Sequence, residues 1–280
     1  MSSIGLRPLE RLGRLPVYVV LAIYAIVIAY PLLWMVISSF KSSSEIFTDP
    51  WGLPSVWLVQ NYAAAWDRGI SDYFVNSVIV TIVSTIATVA VAALCAYGMV
   101  RLSSRIANVV LVVAMGGLVV APQVSLIPLY RLLDAMGLLN TYWAMILPYV
   151  AFRLPMAILL IRSVFLGIPR ELEDAATIDG CRSLGVFRHV YLPLSASVLT
   201  TATVLTAYFA WNEFLFAIVY IDADALRTIP AGLMSFRDSL STEWGVLLAG
   251  LTIAALPIVA VFIALQRYFV AGVAAGSVKG

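Results

Sequence analysis

Apolar residues run along the chain in long stretches that are separated by short polar segments. A helix needs about 20 apolar residues to cross the hydrocarbon core of a bilayer, and its amides must hydrogen-bond within the segment. Six stretches reach that length, at residues 17–40, 74–100, 108–129, 142–165, 195–221 and 244–270. The pattern predicts an all-α membrane protein with six transmembrane helices. Prolines in or near these stretches predict kinks or local unwinding, at positions 31, 122, 128, 148, 155 and 257.

The first stretch follows Arg7, Arg11 and Arg14, as a signal anchor would. It lacks a small-residue cleavage site and is too long for the apolar core of a signal peptide, which favours a retained helix. The predicted layout is therefore an N-terminal segment over residues 1–16, a transmembrane domain over residues 17–270 and a C-terminal tail over residues 271–280.

Composition agrees with a membrane protein, and the arginines predict its orientation. Hydrophobic residues make up 62% of the chain and the net charge is only +2, so no basic surface points to nucleic acid. Lysine and arginine collect on the cytoplasmic side of membrane proteins. Most of them fall on one side of the predicted spans, at Arg7, Arg11, Arg14, Arg101, Arg105, Arg162, Arg170, Arg182, Arg188, Arg267 and Lys279. This distribution predicts cytoplasmic N- and C-termini and a cytoplasmic segment at residues 168–193.

The segment 168–193, called the coupling loop below, is a long polar insertion between apolar stretches. Pro169 can begin a helix whose first turns carry acidic residues, which favour the positive end of the helix dipole. Gly180 can supply the left-handed cap that ends this helix. Ser183 is predicted to cap a second short helix, which Pro193 ends. We expect two short helices that form a knob for a socket on another protein.

The coupling loop resembles the EAA loop of ATP-binding-cassette (ABC) importer permeases. In that family Glu-Ala-Ala is followed by three residues and Gly, and then by nine residues and Ile-x-Leu-Pro. The matching residues of this chain are Asp174, Ala175, Ala176, Gly180, Val190, Leu192 and Pro193. Most of the chain also resembles the maltose type within the carbohydrate branch, through residues 138–141 (LLNT), residues 211–214 (WNEF) and the C-terminal residues 266–280.

The resemblance implies a type I ABC importer permease fold in the bacterial cytoplasmic (inner) membrane. It implies a heterodimer with a second homologous permease, a dimer of cytosolic ABC ATPase subunits and an extracytoplasmic solute-binding protein. The implied substrate is a sugar, in the first place a di- or oligosaccharide, with a monosaccharide or glycerol phosphate left open. The ATPase would contact the coupling loop at Glu173, Asp174, Ala175, Ala176, Asp179, Gly180, Leu192 and Pro193. It would contact the C-terminal tail at Gly276, Ser277, Val278, Lys279 and Gly280.

Missing motifs agree with a non-catalytic subunit. The chain has no Gly-x-x-x-x-Gly-Lys-Ser/Thr loop to hold ATP phosphates, so ATP and Mg²⁺ are expected on the partner ATPase. His189 is the single histidine, which leaves no histidine cluster for a metal and no apparent nucleophile–base pair for catalysis.

Four residues within the apolar stretches are candidates for the substrate pathway. Arg153 carries a charge inside a predicted span, which is costly and typical of functional sites. Trp211, Asn212 and Glu213 combine an aromatic face with the amide and carboxylate groups that bind sugars. A structural alternative is a buried Arg153–Glu213 pair, or hydrogen bonds from these groups to backbone freed at the prolines.

Two other classes of protein stay open at this point. An ion-coupled secondary transporter would need intramembrane acids, and Glu213 is the clear candidate, although no inverted repeat is evident. A membrane-embedded enzyme would need a catalytic constellation, and none is visible.

Overall fold

The computed structural model describes residues 8–101, 104–236 and 243–277, and in these ranges it contains helices and no strands. The α-helices in chain order are α1 Pro8–Ser38, α2 Ser43–Thr48, α3 Gln60–Ala65, α4 Ser71–Arg101, α5 Ser104–Val119, α6 Leu126–Ala135, α7 Tyr142–Phe165, α8 Arg170–Ile178, α9 Ser183–Val186, α10 Leu192–Leu194, α11 Ala196–Asn212, α12 Leu215–Tyr220, α13 Ile229–Gly232 and α14 Trp244–Ser277. Short 3₁₀ turns lie at Pro122–Ser125, Asp224–Leu226 and Leu233–Phe236, and π-helical turns at Trp66–Ile70 and Phe187–Tyr191. The predicted all-α class is confirmed.

The described residues contain four candidate membrane helices, or six if each of two bent pairs counts as one span. Four helical segments are long and apolar enough to cross a membrane, at Pro16–Ser38, Gln60–Arg101, Tyr142–Phe165 and Trp244–Val261. Two bent pairs of helices pass the same test only when their members are taken together, Arg105–Val119 with Pro122–Ala135 at 90° and Ser183–Leu194 with Ala196–Asn212 at 80°. The first member of the second pair belongs to the coupling loop. The predicted span at 142–165 coincides with α7 at both ends.

The predicted third span, residues 108–129, is not one straight helix. Helix α5 ends at Val119, and a 3₁₀ turn that begins at Pro122 leads into α6. Ala121 has extended backbone (φ −69°, ψ 131°), because the ring of the following proline disfavours the helical conformation. The bend therefore has a local cause in the sequence.

The predicted fifth span, residues 195–221, is also interrupted. Helix α11 ends at Asn212, Glu213 has extended backbone (φ −68°, ψ 127°), and α12 begins at Leu215. Neither proline nor glycine lies at this break. The break places the Glu213 side chain beside the first turn of α12, which becomes important for the cavity described below.

The larger compact unit, Gly69–Ser235 with Ala254–Gly280, is built on α4, α7 and α11. One core cluster packs Ala92 and Ala96 of α4 against Ile161 and Phe165 of α7, and small residues let such helices approach closely. The cluster continues into the coupling loop through Tyr191. The coupling loop is therefore seated on the ends of the spanning helices.

A second core cluster of the same unit surrounds α12. Its largest buried side chains are Tyr149, Phe216 and Tyr220, each at 1% exposure or less. The rings of Phe216 and Tyr220 stack with centroids 5.4 Å apart. This aromatic packing fixes α12 after the break at Glu213.

The smaller unit, Met1–Arg68 with Phe236–Ile253, is held by buried polar contacts. Lys41 is fully buried and its Nζ donates to the carbonyl of Asp49 at 2.7 Å. Asn61 Nδ2 donates to the carbonyls of Ser39 and Lys41, at 2.8 and 3.1 Å. Gly245 lies against the Lys41 carbonyl, where a side chain would clash.

Helix α14 continues beyond the predicted end of the last span at residue 270. Its backbone stays helical to Ser277, so the first residues of the predicted tail extend the helix. Val278, Lys279 and Gly280 of the predicted C-terminal contact lie outside the described residues.

Candidate coupling loop and intramembrane cavity

The first helix of the coupling loop begins and ends where the sequence predicts. Helix α8 follows Pro169, and two acidic residues lie in its first turn. Gly180 has φ +87°, and its N–H donates to the carbonyl of Thr177 at 3.0 Å. The N–H of Cys181 donates to the carbonyl of Ala176 at 2.9 Å, which completes a Schellman cap. A residue with a side chain would be strained at Gly180, although open space surrounds it.

The second part of the coupling loop differs from the prediction. Ser183 is not a helix cap, because Arg182 holds the position before α9 and Ser183 is its first residue. The Ser183 hydroxyl instead accepts from Arg101 at 3.0 Å, and its carbonyl accepts from the Tyr97 hydroxyl at 2.7 Å. Pro193 does not end a helix either, since it lies in the first turn of α10, where an amide hydrogen is not needed.

One face of the coupling loop is exposed and mixes acidic with apolar side chains. Its exposed residues include Asp174, Ala175, Ile178, Asp179, Gly180, Leu184 and Pro193. Ile178 is 86% exposed and Leu184 is 70% exposed. Both residues occupy unspecified positions of the EAA pattern, and an apolar residue within this polar segment is the sequence signal for them. An apolar patch rimmed by charge is typical of a surface that binds another protein.

Three of the predicted ATPase-contact residues instead face the interior of the unit. Ala176 and Leu192 pack against the first core cluster. Glu173 forms an ion pair with Arg101 and accepts from the Tyr191 hydroxyl at 2.9 Å. These three residues hold the coupling loop in place, while their neighbours in the pattern form its exposed face.

The polar cluster around Glu173 joins the coupling loop to the end of α4. We call it the loop clamp, and its members are Tyr97, Arg101, Glu173, Ser183 and Tyr191. Burial, followed by the hydrogen bond to Glu173, raises the pKa of Tyr191 to about 12, so its hydroxyl stays protonated and donates. The sequence signal for the clamp is the i, i+4 spacing of Tyr97 and Arg101, which puts both on one face at the end of α4.

A cavity of about 540 Å³ opens between α7 and the broken helix α11–α12, a volume typical of small-molecule sites. Three of the four predicted pathway residues line it, namely Arg153, Asn212 and Glu213. Trp211 does not, because its Nε1 donates to the carbonyl of Ala254 at 3.1 Å and its ring packs edge-on against Phe74. Trp211 therefore joins α11 to α14.

Glu213 is held by fixed donors at the helix break. Its carboxylate accepts from the Tyr149 hydroxyl at 2.6 Å and from the N–H groups of Leu215 at 2.8 Å and Phe216 at 3.0 Å. The N–H of Ala217 reaches the second oxygen at 3.4 Å. These are the first amides of α12, so Glu213 supplies the acceptors that the start of this helix needs. Its negative charge is compensated within the chain.

Arg153 has no such partners among the described residues. Its guanidinium lies over the ring of Phe209, 3.5 Å from the centroid, and its Nε is buried without a hydrogen bond. The alternative of an Arg153–Glu213 ion pair is wrong, since the described ion pairs join other residues. Asn212 completes the polar wall, and its Nδ2 donates to the carbonyl of Tyr208 at 2.7 Å.

The described residues hold no group of three or more His, Cys, Asp or Glu side chains that could bind a metal ion. Cys95 and Cys181 are both free thiols.

The arrangement of spanning helices and coupling loop is that of an ABC importer permease. A solved chain from a bacterial ABC transporter involved in the import of the acidic polysaccharide alginate superposes with a TM-score of 0.79. The match covers 95% of this chain and 100% of that chain at 21% identity, so it shows the fold. The predicted type I permease fold is confirmed.

Sequence comparison then identifies the family. The model of the family described as "Binding-protein-dependent transport system inner membrane component" matches residues 88–275. A probable ABC transporter permease protein, YurM of Bacillus subtilis (strain 168), is 56% identical over 269 residues, which cover 96% of this chain and 90% of that protein. The trehalose/maltose transport system permease protein MalG of Thermococcus litoralis is 31% identical over 97% of this chain and 99% of that protein.

The chain therefore belongs to this family of inner-membrane permease components of ABC importers. It is an integral membrane subunit without catalysis of its own, and ATP hydrolysis belongs to a separate subunit.

Proposed function

We propose that this chain forms half of the translocation pathway of an ATP-driven importer for a di- or oligosaccharide. Its other half is a second, homologous permease, and an extracytoplasmic binding protein delivers the sugar. Support for a sugar comes from relatives. The Thermococcus litoralis protein is named for a trehalose/maltose transport system, and the solved chain comes from a transporter involved in alginate import. Support from this chain is the cavity lined by aromatic rings and an amide, groups that suit a sugar.

The observation that carries the proposal is the exposed face of the coupling loop. Asp174, Ala175 and Asp179 lie beside two exposed apolar side chains, Ile178 and Leu184. We infer that a partner subunit covers these two apolar side chains, and the resemblance to the EAA loop favours the cytosolic ATPase dimer as that partner. ATP and Mg²⁺ then bind to that partner. We expect both termini to be cytoplasmic, with residues 276–280 as a second ATPase contact.

The coupling is mechanical. Closure of the ATPase dimer on ATP moves the coupling loop, and the loop clamp transmits this motion to α4. Helix α4 packs along α7, which forms one wall of the cavity. The cavity therefore alternates between two states whose balance is set by a ligand on a different chain.

The test uses two glycines with the same local geometry. Gly180 and Gly137 both have positive φ, +87° and +66°, and both end a helix with the same pair of backbone hydrogen bonds. An added Cβ meets nothing within 4 Å at either site. Leucine at either position therefore costs similar backbone strain, of about 1 kcal/mol. Only at Gly180 does the side chain enter the proposed ATPase contact.

We expect Gly180→Leu to abolish ATP-dependent sugar uptake at normal membrane levels, while Gly137→Leu keeps most of it. Gly180→Ala measures the effect of strain with little added bulk and should keep partial activity. Uptake by Gly180→Leu equal to that of Gly137→Leu would overturn the proposed coupling contact. The alternative of an ion-coupled transporter is disfavoured. Glu213, its candidate ion-coupling acid, already accepts hydrogen bonds from the first amides of α12.

A further inference from the structure

We propose that the transported sugar carries an anionic group, a carboxylate, sulfonate or phosphate, and that Arg153 binds this group in the cavity. The inference rests on the proposed sugar importer and names the chemistry of its substrate. Its basis is a cation in a small-molecule cavity that forms no ion pair among the described residues.

Arg153 has no ion-pair partner in the cavity. Glu213 is the carboxylate that lines it, and its oxygens accept instead from Tyr149 and from the first amides of α12. The described ion pairs lie elsewhere, at Arg68–Glu243, Arg101–Glu173 and Arg227–Asp224. The guanidinium of Arg153 is therefore left without a directly bound anion among the described residues.

The depth of Arg153 excludes a lipid headgroup as its usual partner. Arg153 lies at the middle of the 24-residue α7, about 17 Å from the start and 18 Å from the end at 1.5 Å per residue. The hydrocarbon core of a bilayer is about 30 Å thick, so both headgroup layers lie beyond the reach of the side chain. A charge at this depth is costly unless an anion or water-filled space compensates it.

The surroundings of Arg153 prepare it for an anion. Phe209 covers one face of the guanidinium, at 3.5 Å from the ring centroid. The N–H groups point outward in the plane of the guanidinium, where a carboxylate, sulfonate or phosphate can accept two hydrogen bonds. Tyr208 and Phe214 line the same cavity and offer aromatic faces to the sugar ring, and Asn212 offers its amide oxygen.

The experiment measures ATP-dependent uptake by the complete importer, with its own binding protein, in membrane vesicles. The probes are matched neutral and acidic sugars: maltose and maltobionate, cellobiose and cellobionate, trehalose and trehalose 6-phosphate. The variants are Arg153→Gln, which removes the charge, and Arg153→Lys, which keeps it. Each variant is also purified to show that the second permease and the ATPase remain bound.

We expect an acidic member of a pair to be the substrate. Uptake of that sugar should fall about 10- to 100-fold in Arg153→Gln, the range for loss of one charge-assisted contact of about 1.4 to 2.8 kcal/mol. Arg153→Lys should recover a substantial part of it. Both variants should keep their partner subunits.

Three outcomes would overturn the inference. Uptake of neutral sugars alone, unchanged in Arg153→Gln, would leave the sugar importer intact but remove the anionic substrate. Uptake of the acidic sugar that does not depend on Arg153 would do the same. If the second permease no longer copurifies with the Arg153→Gln variant, the partner of Arg153 is a carboxylate of that permease and not the sugar. Absence of ATP-dependent uptake for all six sugars would instead count against the proposed function itself.

Discussion

Glu173 directly precedes Asp174, the first residue of the EAA pattern, and the structure predicts different consequences for replacing each acid by its neutral amide. Glu173 faces inward and belongs to the loop clamp, whereas Asp174 is exposed. Glu173→Gln should therefore act on the stability of this chain. Asp174→Asn should act on the partner ATPase.

The magnitude for Glu173→Gln follows from its two contacts. A hydrogen bond to a charged group contributes about 1.5 to 3 kcal/mol, and a partly exposed ion pair contributes up to about 1 kcal/mol. The side chains of Arg101 and Glu173 are 28% and 18% exposed, so we discount the ion pair. The amide keeps one acceptor oxygen, which leaves an expected loss of about 2 kcal/mol. Substitutions at exposed sites such as Asp174 stay within about 0.5 kcal/mol.

The assay is unfolding of the purified permease in detergent, followed by stimulation of the ATPase in the assembled importer. A loss of about 2 kcal/mol lowers Tm by roughly 3 to 4 °C in a chain of this size. Asp174→Asn should keep Tm and lower the stimulation of ATP hydrolysis. Tyr191→Phe combined with Glu173→Gln should cost less than the sum of the single variants, because the first removes and the second weakens the same hydrogen bond.

Equal Tm values for Glu173→Gln and the unmodified chain, together with lost ATPase stimulation, would refute this assignment. Glu173 would then contact the partner directly, and the clamp would not hold the coupling loop.

Two further substitutions test the positions of fixed polar groups. Glu213→Gln should lower the free energy of unfolding by about 2 to 4 kcal/mol, since it weakens the acceptors for Tyr149 and the first amides of α12. Uptake by this variant should gain no dependence on external pH, and a new pH dependence would favour an ion-coupled mechanism. Asn140→Gly keeps the left-handed backbone (φ 56°) but loses the amide oxygen that accepts from Asp222 and Ala223, and should cost about 1 to 2 kcal/mol. Full stability of that variant, measured by the same unfolding assay, would show that the segment after α12 does not depend on Asn140.

Hydrophobic length predicted most of the spanning helices, because a bilayer requires long apolar segments with internal hydrogen bonds. Helix α7 begins and ends at the predicted residues, although it contains Pro148 and Pro155. The cap at Gly180 was predictable for a similar reason, since few other residues adopt a left-handed backbone at low cost.

The break at Glu213 was not predictable from local sequence, because no proline or glycine marks it. The carboxylate at that position stabilises the break by accepting from the first amides of α12. This contact becomes visible only when α11, α12 and Tyr149 of α7 are placed together. The absence of an Arg153–Glu213 ion pair was also not predictable from local sequence. Glu213 instead accepts from the Tyr149 hydroxyl and from the N–H groups of Leu215 and Phe216.

The inward position of Glu173 was not predictable from the sequence for a different reason. Helix α8 has nine residues, and acidic side chains occur on more than one of its faces. Hydrophobic periodicity therefore does not reveal which acid faces the interior. The positions of Arg101 and Tyr191 decide it, and these residues lie 72 and 18 positions away in the chain.

The most direct test of the account is photo-cross-linking from position 175 in the assembled importer. A photoreactive amino acid replaces Ala175 on the exposed face of the coupling loop, and a matched variant carries it at Gly137, outside that loop. The account predicts that position 175 forms an adduct with the ABC ATPase subunit, identified by its peptides, and that position 137 does not. An ATPase adduct from position 137, or its absence from position 175 in an importer that still transports, would contradict the central claim.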